Sequence, residues 1–370
     1  MTAVPSRPAY ERPLLAAMPS VGSPPHLLDF QESLRPLHLN ECPLPPSPGV
    51  VAAIAAAAAA GNRYPDPKGR RLLAMLAERT GVSTDRMLLS NGSEELIGLV
   101  STAALDPGDD VVVPAPSFSI YTKAALLAGA VPVRTAVAAD GRADVDGLLA
   151  AITPRTRLVW CATPNNPTGQ MNDATELARL IAGIPPHVML VVDEAYFEFG
   201  GHAGGPDVLG LLRQAACPWI VLRTFSKAYC LAGLRLGYAL ASAPEVIGAL
   251  AKLRGTFNAG ALPQAAAMTA LADEAHLALV LETCERERRR IDAGARRLGL
   301  TPLPSVANFI AIPLPVAAGP VIASFRRQGI LIGGINDAGY EKVIRVSIGL
   351  ADDTDAVLAA LAVALDEAAA

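Results

Sequence analysis

The sequence predicts an α/β protein: a mostly parallel central sheet in a large domain, plus a smaller α+β domain. Three observations carry this. Short apolar runs alternate with helical patterns from Val50 to Ala241. The run Val188–Val192 is five apolar residues with no polar break, as suits a strand covered on both faces. In Val343–Ile348, by contrast, Val343, Arg345 and Ser347 alternate with Ile344, Val346 and Ile348, so that strand has two unlike faces. A chain of 370 residues can bury one large core and a satellite. The expected division is an N-terminal arm with part of the small domain over 1–46, the large domain over 47–243 and the small domain over 244–370.

Hydrophobic residues make up 51% of the chain and charged ones 18%, which suits a globular protein and excludes a disordered one. A net charge of −4 argues against nucleic acid or an acidic membrane as partner. Cys42, Cys161, Cys217, Cys230 and Cys284 are odd in number and contain no CxxC pair. Neither a disulfide framework nor a metal site is expected, and a reducing cytoplasm is the expected compartment. Met1 to Pro25 lacks the continuous apolar core of a secretory signal, and Val50–Ala60 is too short to span a bilayer.

Taken in order, residues 1–36 carry prolines at 5, 8, 13, 19, 24, 25 and 36, which predicts an extended arm with at most a short helix near 27–34. Ser47-Pro48 is an N-cap and first-turn pair opening an alanine-rich helix that stops at Gly61. The loop Arg63-Tyr64-Pro65-Asp66-Pro67 precedes an amphipathic helix, Arg70–Arg79. Arg86–Ser90 reads as a strand, and Asn91-Gly92-Ser93-Glu94-Glu95 as the turn into a helix over Glu94–Leu105. Gly92 permits close backbone approach, while Ser93 and Glu94 present free amides at a helix N-terminus, a ready anion cradle. After the strand Asp110–Val113, Phe118 and Tyr121 either stack on a flat ligand ring or join the core.

The strand Leu158–Ala162 runs into Thr163-Pro164-Asn165-Asn166-Pro167-Thr168-Gly169, where Asn166 offers an amide at a strand C-terminus. Asn172 or Asp173 caps the next helix. Val188–Val192 ends at Asp193, an acid that is costly to bury unless it meets a cation or donor. Trp219–Leu222 then leads into Thr224, Ser226 and Lys227, with Arg235 eight residues further on. A lysine among apolar neighbours loses hydration, which lowers its pKa and frees a nucleophilic amine. Hydroxyls with an arginine make an anion site. An amine beside a phosphate site is what pyridoxal 5′-phosphate (PLP) requires, and a protonated pyridine nitrogen would answer Asp193.

Beyond the sheet, Arg286–Arg290 read as a solvated helix face paired with Glu282, Glu285 and Glu287. The strands Ala307–Ile312 and Val343–Ile348 flank a helix, Pro320–Gln328, and Arg345 on so apolar a strand calls for an anionic partner.

These segments together resemble the fold-type I PLP-dependent aminotransferases of class I/II, in the histidinol-phosphate aminotransferase-like branch. The carriers are LNECPLPPSP (39–48), RYPDP (63–67), SNGSEEL (90–96), PSFSIY (116–121), TPNNPTGQ (163–170), VVDEAYFEF (191–199), TFSKAYCLAGLRLGY (224–238), ANF (307–309) and IRVSIG (344–349). The resemblance implies that Lys227 holds PLP as a Schiff base and shuttles a proton, and that Asp193 pairs with the pyridinium nitrogen. It implies Tyr196 and Asn166 at the ring oxygen and Phe118 stacked on the ring. Gly92, Ser93, Glu94, Thr224, Ser226 and Arg235 would hold the phosphate. Tyr64 would reach the neighbouring subunit's site in a homodimer, near both phosphate and substrate, Asn166 would also contact substrate, and Arg345 would take the substrate's anionic end. The implied reaction moves an amino group between an amino acid, or an amino-alcohol phosphate, and a 2-oxo acid by a ping-pong mechanism. Decarboxylation, elimination or cyclisation on the same scaffold are the alternatives in chemistry, and histidinol phosphate the alternative in substrate. Two departures from the branch stand out: Gly333 occupies a position that usually holds an arginine, and residues 13–30 contain no tyrosine. An α-amino acid whose carboxylate meets Arg345 is the substrate expected from them.

Overall fold

The computed structural model describes residues 34–369, and the predicted course of the arm before residue 34 lies outside them. Its strands are β1 (Arg35–Leu37), β2 (Met87–Ser90), β3 (Asp110–Ala115), β4 (Val131–Ala136), β5 (Thr156–Ala162), β6 (Met189–Asp193), β7 (Trp219–Thr224), β8 (Gly237–Ala241), β9 (Phe309–Pro313), β10 (Ile330–Gly334) and β11 (Val343–Ser347). Seven form one sheet in the order β2-β8-β7-β6-β5-β3-β4, and four form a smaller one in the order β1-β10-β11-β9. In the large sheet β8 runs antiparallel to both neighbours, while β4, β3, β5, β6 and β7 are parallel. In the small sheet β1 is parallel to β10 and the other pairs are antiparallel. The α/β class is as expected.

The period of two in each central strand divides its side chains between two cores. Val112, Val159, Leu190, Val192 and Val221 face one. Val111, Val113, Leu158, Trp160, Val191, Ile220 and Leu222 face the other. Burying each aliphatic side chain contributes about 1.5–3 kcal/mol, so a register slip of one residue would forfeit both faces together. A third core gathers the small sheet, with Phe309, Ile312, Val321, Phe325, Ile344 and Val346 packed under Leu361.

Some helices begin at a capping side chain and others at a glycine with positive φ. Ser47 accepts a hydrogen bond from the Val50 amide and opens α1 (Pro48–Ala58), followed by α2 (Arg70–Thr80) and α3 (Ser93–Ala104). Of the two candidates at 172–173, Asp173 is the cap, in a reciprocal capping box with Glu176. Asn172 instead donates to the Ala143 carbonyl.

Several elements differ from expectation. β4, with Pro132 and Arg134, is a half-exposed edge strand whose polarity hid it. β10 ends in two glycines and lacked a strand signature. Helix 261–272, which was not expected from sequence, packs on the large-sheet core through Ala266, Ala267, Ala270 and Leu271. In the long helix 274–297 the arginine run is not uniformly solvated. Glu287 is buried between Arg286 and Arg290, and Arg288 turns to the carbonyls of Val306 and Ala307. Against expectation, Cys42 and Cys230 form a disulfide, with Cα atoms 5.1 Å apart across 188 residues of sequence. Spacing alone gave no hint, because the fold brings the pair together. Among the described residues no helix is long and apolar enough to cross a membrane, and no group of three or more His, Cys, Asp or Glu residues could hold a metal ion.

Candidate active site

The C-terminal ends of β3, β5, β6 and β7 open on one side of the large sheet, where open α/β sheets place their ligands. They border a cavity of about 850 Å³ whose far wall comes from the small sheet.

β6 delivers Asp193 to the cavity floor, 4% exposed. Its Oδ2 accepts from the Tyr121 hydroxyl at 2.6 Å and its Oδ1 from the Ala195 amide at 2.9 Å. Burial raises the carboxyl pKa, and these two donors pull against the rise. Tyr121 is itself held by stacking on Trp160, with ring centroids 4.4 Å apart, and it meets Phe118 edge-on at 5.8 Å. Phe118 therefore faces the cavity from a fixed aromatic base.

β7 delivers Thr224, Ser226 and Lys227. The Ser226 amide donates to Thr224 Oγ1 at 3.1 Å, which turns the chain sharply and sets both hydroxyls beside the cavity. Lys227 Nζ donates to the carbonyls of Leu39 (3.2 Å) and Asn40 (3.0 Å). Burial lowers the Lys227 pKa to about 8, Arg345 and Arg235 push the same way, and Glu41 opposes them. Arg235 takes a left-handed backbone, φ 53°, and lies against Gly92 at the N-terminus of α3. Gly92 has φ 77°, and a Cβ there would fall 2.5 Å from Arg235 Nη2. A Cβ on Gly237 would fall 2.7 Å from the Ser93 amide nitrogen. The absence of side chains at both positions lets Arg235 and the α3 amides converge.

β11 delivers Arg345. Its Nη1 donates to Asn166 Oδ1 at 2.7 Å and its Nη2 to the His38 carbonyl at 2.8 Å, while its buried Nε has no partner. Tyr196 stands between the two sheets, edge-on to Phe309, its hydroxyl accepting from Asn40 Nδ2 at 3.0 Å. Burial raises the Tyr196 pKa to about 12, so the phenol stays protonated at neutral pH.

The cavity thus gathers Ser93, Glu94, Phe118, Asn166, Asp193, Tyr196, Thr224, Ser226, Lys227, Arg235 and Arg345, with Gly92 directly behind Arg235. Tyr64 is not among them. It stacks on Phe257 at 4.2 Å and is 80% exposed, outside this chain's cavity. Three contributors were not assigned a site role from sequence. Tyr121 was left between core and ring contact. Asn40 has a left-handed φ of 54°, and Asn is one of the residues that tolerates it. Asn165, beside the expected Asn166, anchors the loop by bonding Pro116, Ser117 and Thr168.

A buried acid, a desolvated lysine and an amide cradle at the strand ends of such a sheet suit an enzyme that works through pyridoxal phosphate, and the chain belongs to the family Aminotransferase class I and II, whose family model matches residues 34–365. Its reaction is amino-group transfer and its cofactor is pyridoxal 5′-phosphate. Among its relatives, "Histidinol-phosphate aminotransferase 1" of Mesorhizobium japonicum is 38% identical over 322 residues, covering 87% of this chain and 88% of that one. "Aromatic amino acid aminotransferase" of Rhodococcus opacus is 40% identical over 320 residues, covering 86% and 87%. The crystal structure of histidinol-phosphate aminotransferase from Sinorhizobium meliloti in complex with pyridoxal-5′-phosphate superposes with a TM-score of 0.89 at 32% identity, covering 98% of this chain and 99% of that one.

Proposed function

We propose that Lys227 carries the cofactor and then moves a proton at the donor's α-carbon, in a ping-pong transfer from an α-amino acid to a 2-oxo acid. The observation that carries this is one cavity holding a lysine depressed to about pH 8, a buried Asp193 and a partly buried Arg345. The residues present fit PLP. Gly92 and Gly237 leave room for the Ser93 and Glu94 amides and Arg235 to meet a phosphate, joined by the hydroxyls of Thr224 and Ser226. Asp193 would face the ring nitrogen, Tyr196 and Asn166 the ring oxygen, and Phe118 the ring plane. When bound, the cofactor supplies a carbonyl for the amino group and a sink for the α-carbon's electrons. Arg345 would orient the donor by its carboxylate, using the Nε that has no protein partner.

Gly333, the register partner of Arg345, adds no second charge there, and among the described residues Arg235 and Arg345 are the two arginines lining the cavity. A donor with one carboxylate suits that inventory. The names of the relatives support a second reading, histidinol phosphate, with its phosphate at Arg345. A screen of amino donors on the purified holoenzyme, read by the shift of the cofactor absorbance to the pyridoxamine form, separates the two. Conversion by amino acids and none by histidinol phosphate supports the first; the reverse overturns it.

The exposed Tyr64–Phe257 stack supports a homodimer in which Tyr64 meets the neighbouring site, and a Tyr64→Ala enzyme that retains full cofactor affinity would refute that role. We place residues 47–243, with helix 261–272 packed on them, in a cofactor-binding domain, residues 1–46 as an arm contributing β1 to the small domain, and the enzyme in the cytoplasm.

A further inference from the structure

We propose that Cys42 and Cys230 are a reversible oxidation site that clamps one wall of the cavity onto the Lys227 loop. Cys42 follows Leu39, Asn40 and Glu41, all of which line the cavity, on the segment that leaves β1 of the small sheet. Cys230 follows β7 of the large sheet, and its amide donates to the Lys227 carbonyl at 3.2 Å. The bond therefore joins the two sheets beside the catalytic amine, where Lys227 Nζ already donates to the Leu39 and Asn40 carbonyls.

The backbone at Cys230 is left-handed, φ 59°, a conformation free to glycine and unfavourable for a residue with a Cβ. A side chain there is retained at a cost; its sulfur meets Cys42 and the Ala228 carbonyl, and the side chain packs in the third core. The other three cysteines are buried and unpaired. Burial raises the pKa of each of these thiols, which makes them poor targets for oxidants even though Arg288 lies near Cys284.

Formation of the bond removes two protons and two electrons from the two thiols. A peroxide that accepts them leaves as water, or a small-molecule disulfide leaves as two thiols; a dithiol returns them. In the oxidised form Leu39, Asn40 and Glu41 cannot withdraw from Lys227, so entry to the amine is slowed. In the reduced form the wall is held by hydrogen bonds and the packing of Cys42 and Leu44 on the third core, with no covalent tie, and can open.

The test uses the PLP-loaded enzyme, treated with oxidised glutathione or with dithiothreitol. Free thiols are counted, the 42–230 link is sought by peptide mass spectrometry, and hydroxylamine, a small carbonyl reagent, is used to strip the cofactor. Oxidation should lower the thiol count from the five cysteines of the sequence to three, raise Tm and slow cofactor release at least threefold, all reversed by dithiothreitol. Cys42→Ser and Cys230→Gly, the second of which relieves the left-handed strain and so protects the fold, should release cofactor at one rate in both conditions. The proposal is overturned if wild-type enzyme keeps five thiols, if its oxidised and reduced forms release cofactor equally fast, or if either variant responds to oxidation as wild type does.

Discussion

The Tyr121 hydroxyl donates to Asp193 Oδ2 at 2.6 Å, and Ala195 supplies the other donor this buried carboxylate receives. Tyr121→Phe preserves the stack on Trp160 while removing the donor. A hydrogen bond to a charged group contributes about 1.5–3 kcal/mol. Cofactor affinity, measured by titrating PLP into the apoenzyme, should fall roughly ten- to hundredfold with the circular dichroism unchanged. Unaltered affinity would show that the Ala195 amide alone keeps Asp193 in place.

Lys227 sets a pH dependence with a definite sign. Its folded pKa of about 8 lies below the unfolded 10.5, so the unfolded chain binds more protons between those values and stability rises with pH across that window. Capture of PLP by apoenzyme should follow the free amine, increasing through about pH 8. At pH 7 this leaves roughly 300-fold more free amine than an ordinary lysine. A capture rate still climbing past pH 10 would contradict the desolvated setting.

Gly92→Ala places a methyl 2.5 Å from Arg235 Nη2 at a φ of 77°. The expected result is a folded protein that retains little PLP in dialysis against phosphate buffer. Retention equal to wild type would remove Gly92, Arg235 and the α3 amides from the phosphate site.

Arg345→Lys keeps the charge and loses the planar fork that reaches Asn166 and the His38 carbonyl together. For the donor identified by the screen, kcat/KM should drop thirtyfold or more (about 2 kcal/mol) with PLP affinity within twofold of wild type. Loss of PLP affinity instead would assign Arg345 to the cofactor.

Under the site lies an ion pair between Arg223 and Glu194, at 2.7 Å and with side chains 5% and 3% exposed. Arg223 also sits 3.4 Å from the centroid of the Phe197 ring. Arg223→Met strands a buried carboxylate, at a cost of about 3–5 kcal/mol. Thermal unfolding should move down by several degrees. The double variant with Glu194→Gln should recover part of the loss.

The cofactor side was legible in sequence because its residues sit at strand ends with local signals: Gly92 before Ser93, Pro167 after Asn166, Asp193 closing an apolar run. On the opposite wall Arg345 and Gly333 stood out, but the segment before them did not. Asn40 reaches Tyr196 and Ser347 across long stretches of chain, and nothing local to the LNECP segment announces that. Tyr121 looks identical, by spacing, to a core aromatic; the acid it serves is 72 residues away. The disulfide was missed for the same reason, since two cysteines 188 residues apart carry no signal until the sheets are docked. Polar edges also hid structure: β4 alternates Val with Pro, Arg and Thr, a pattern that reads equally as loop.

Arg345 and Asn40 belong to the four-stranded sheet and the segment leaving it, whereas Lys227, Asp193 and the α3 amides belong to the seven-stranded one. With the site divided as proposed, substitutions along β11 would alter the choice of donor while leaving the cofactor's own contacts in place.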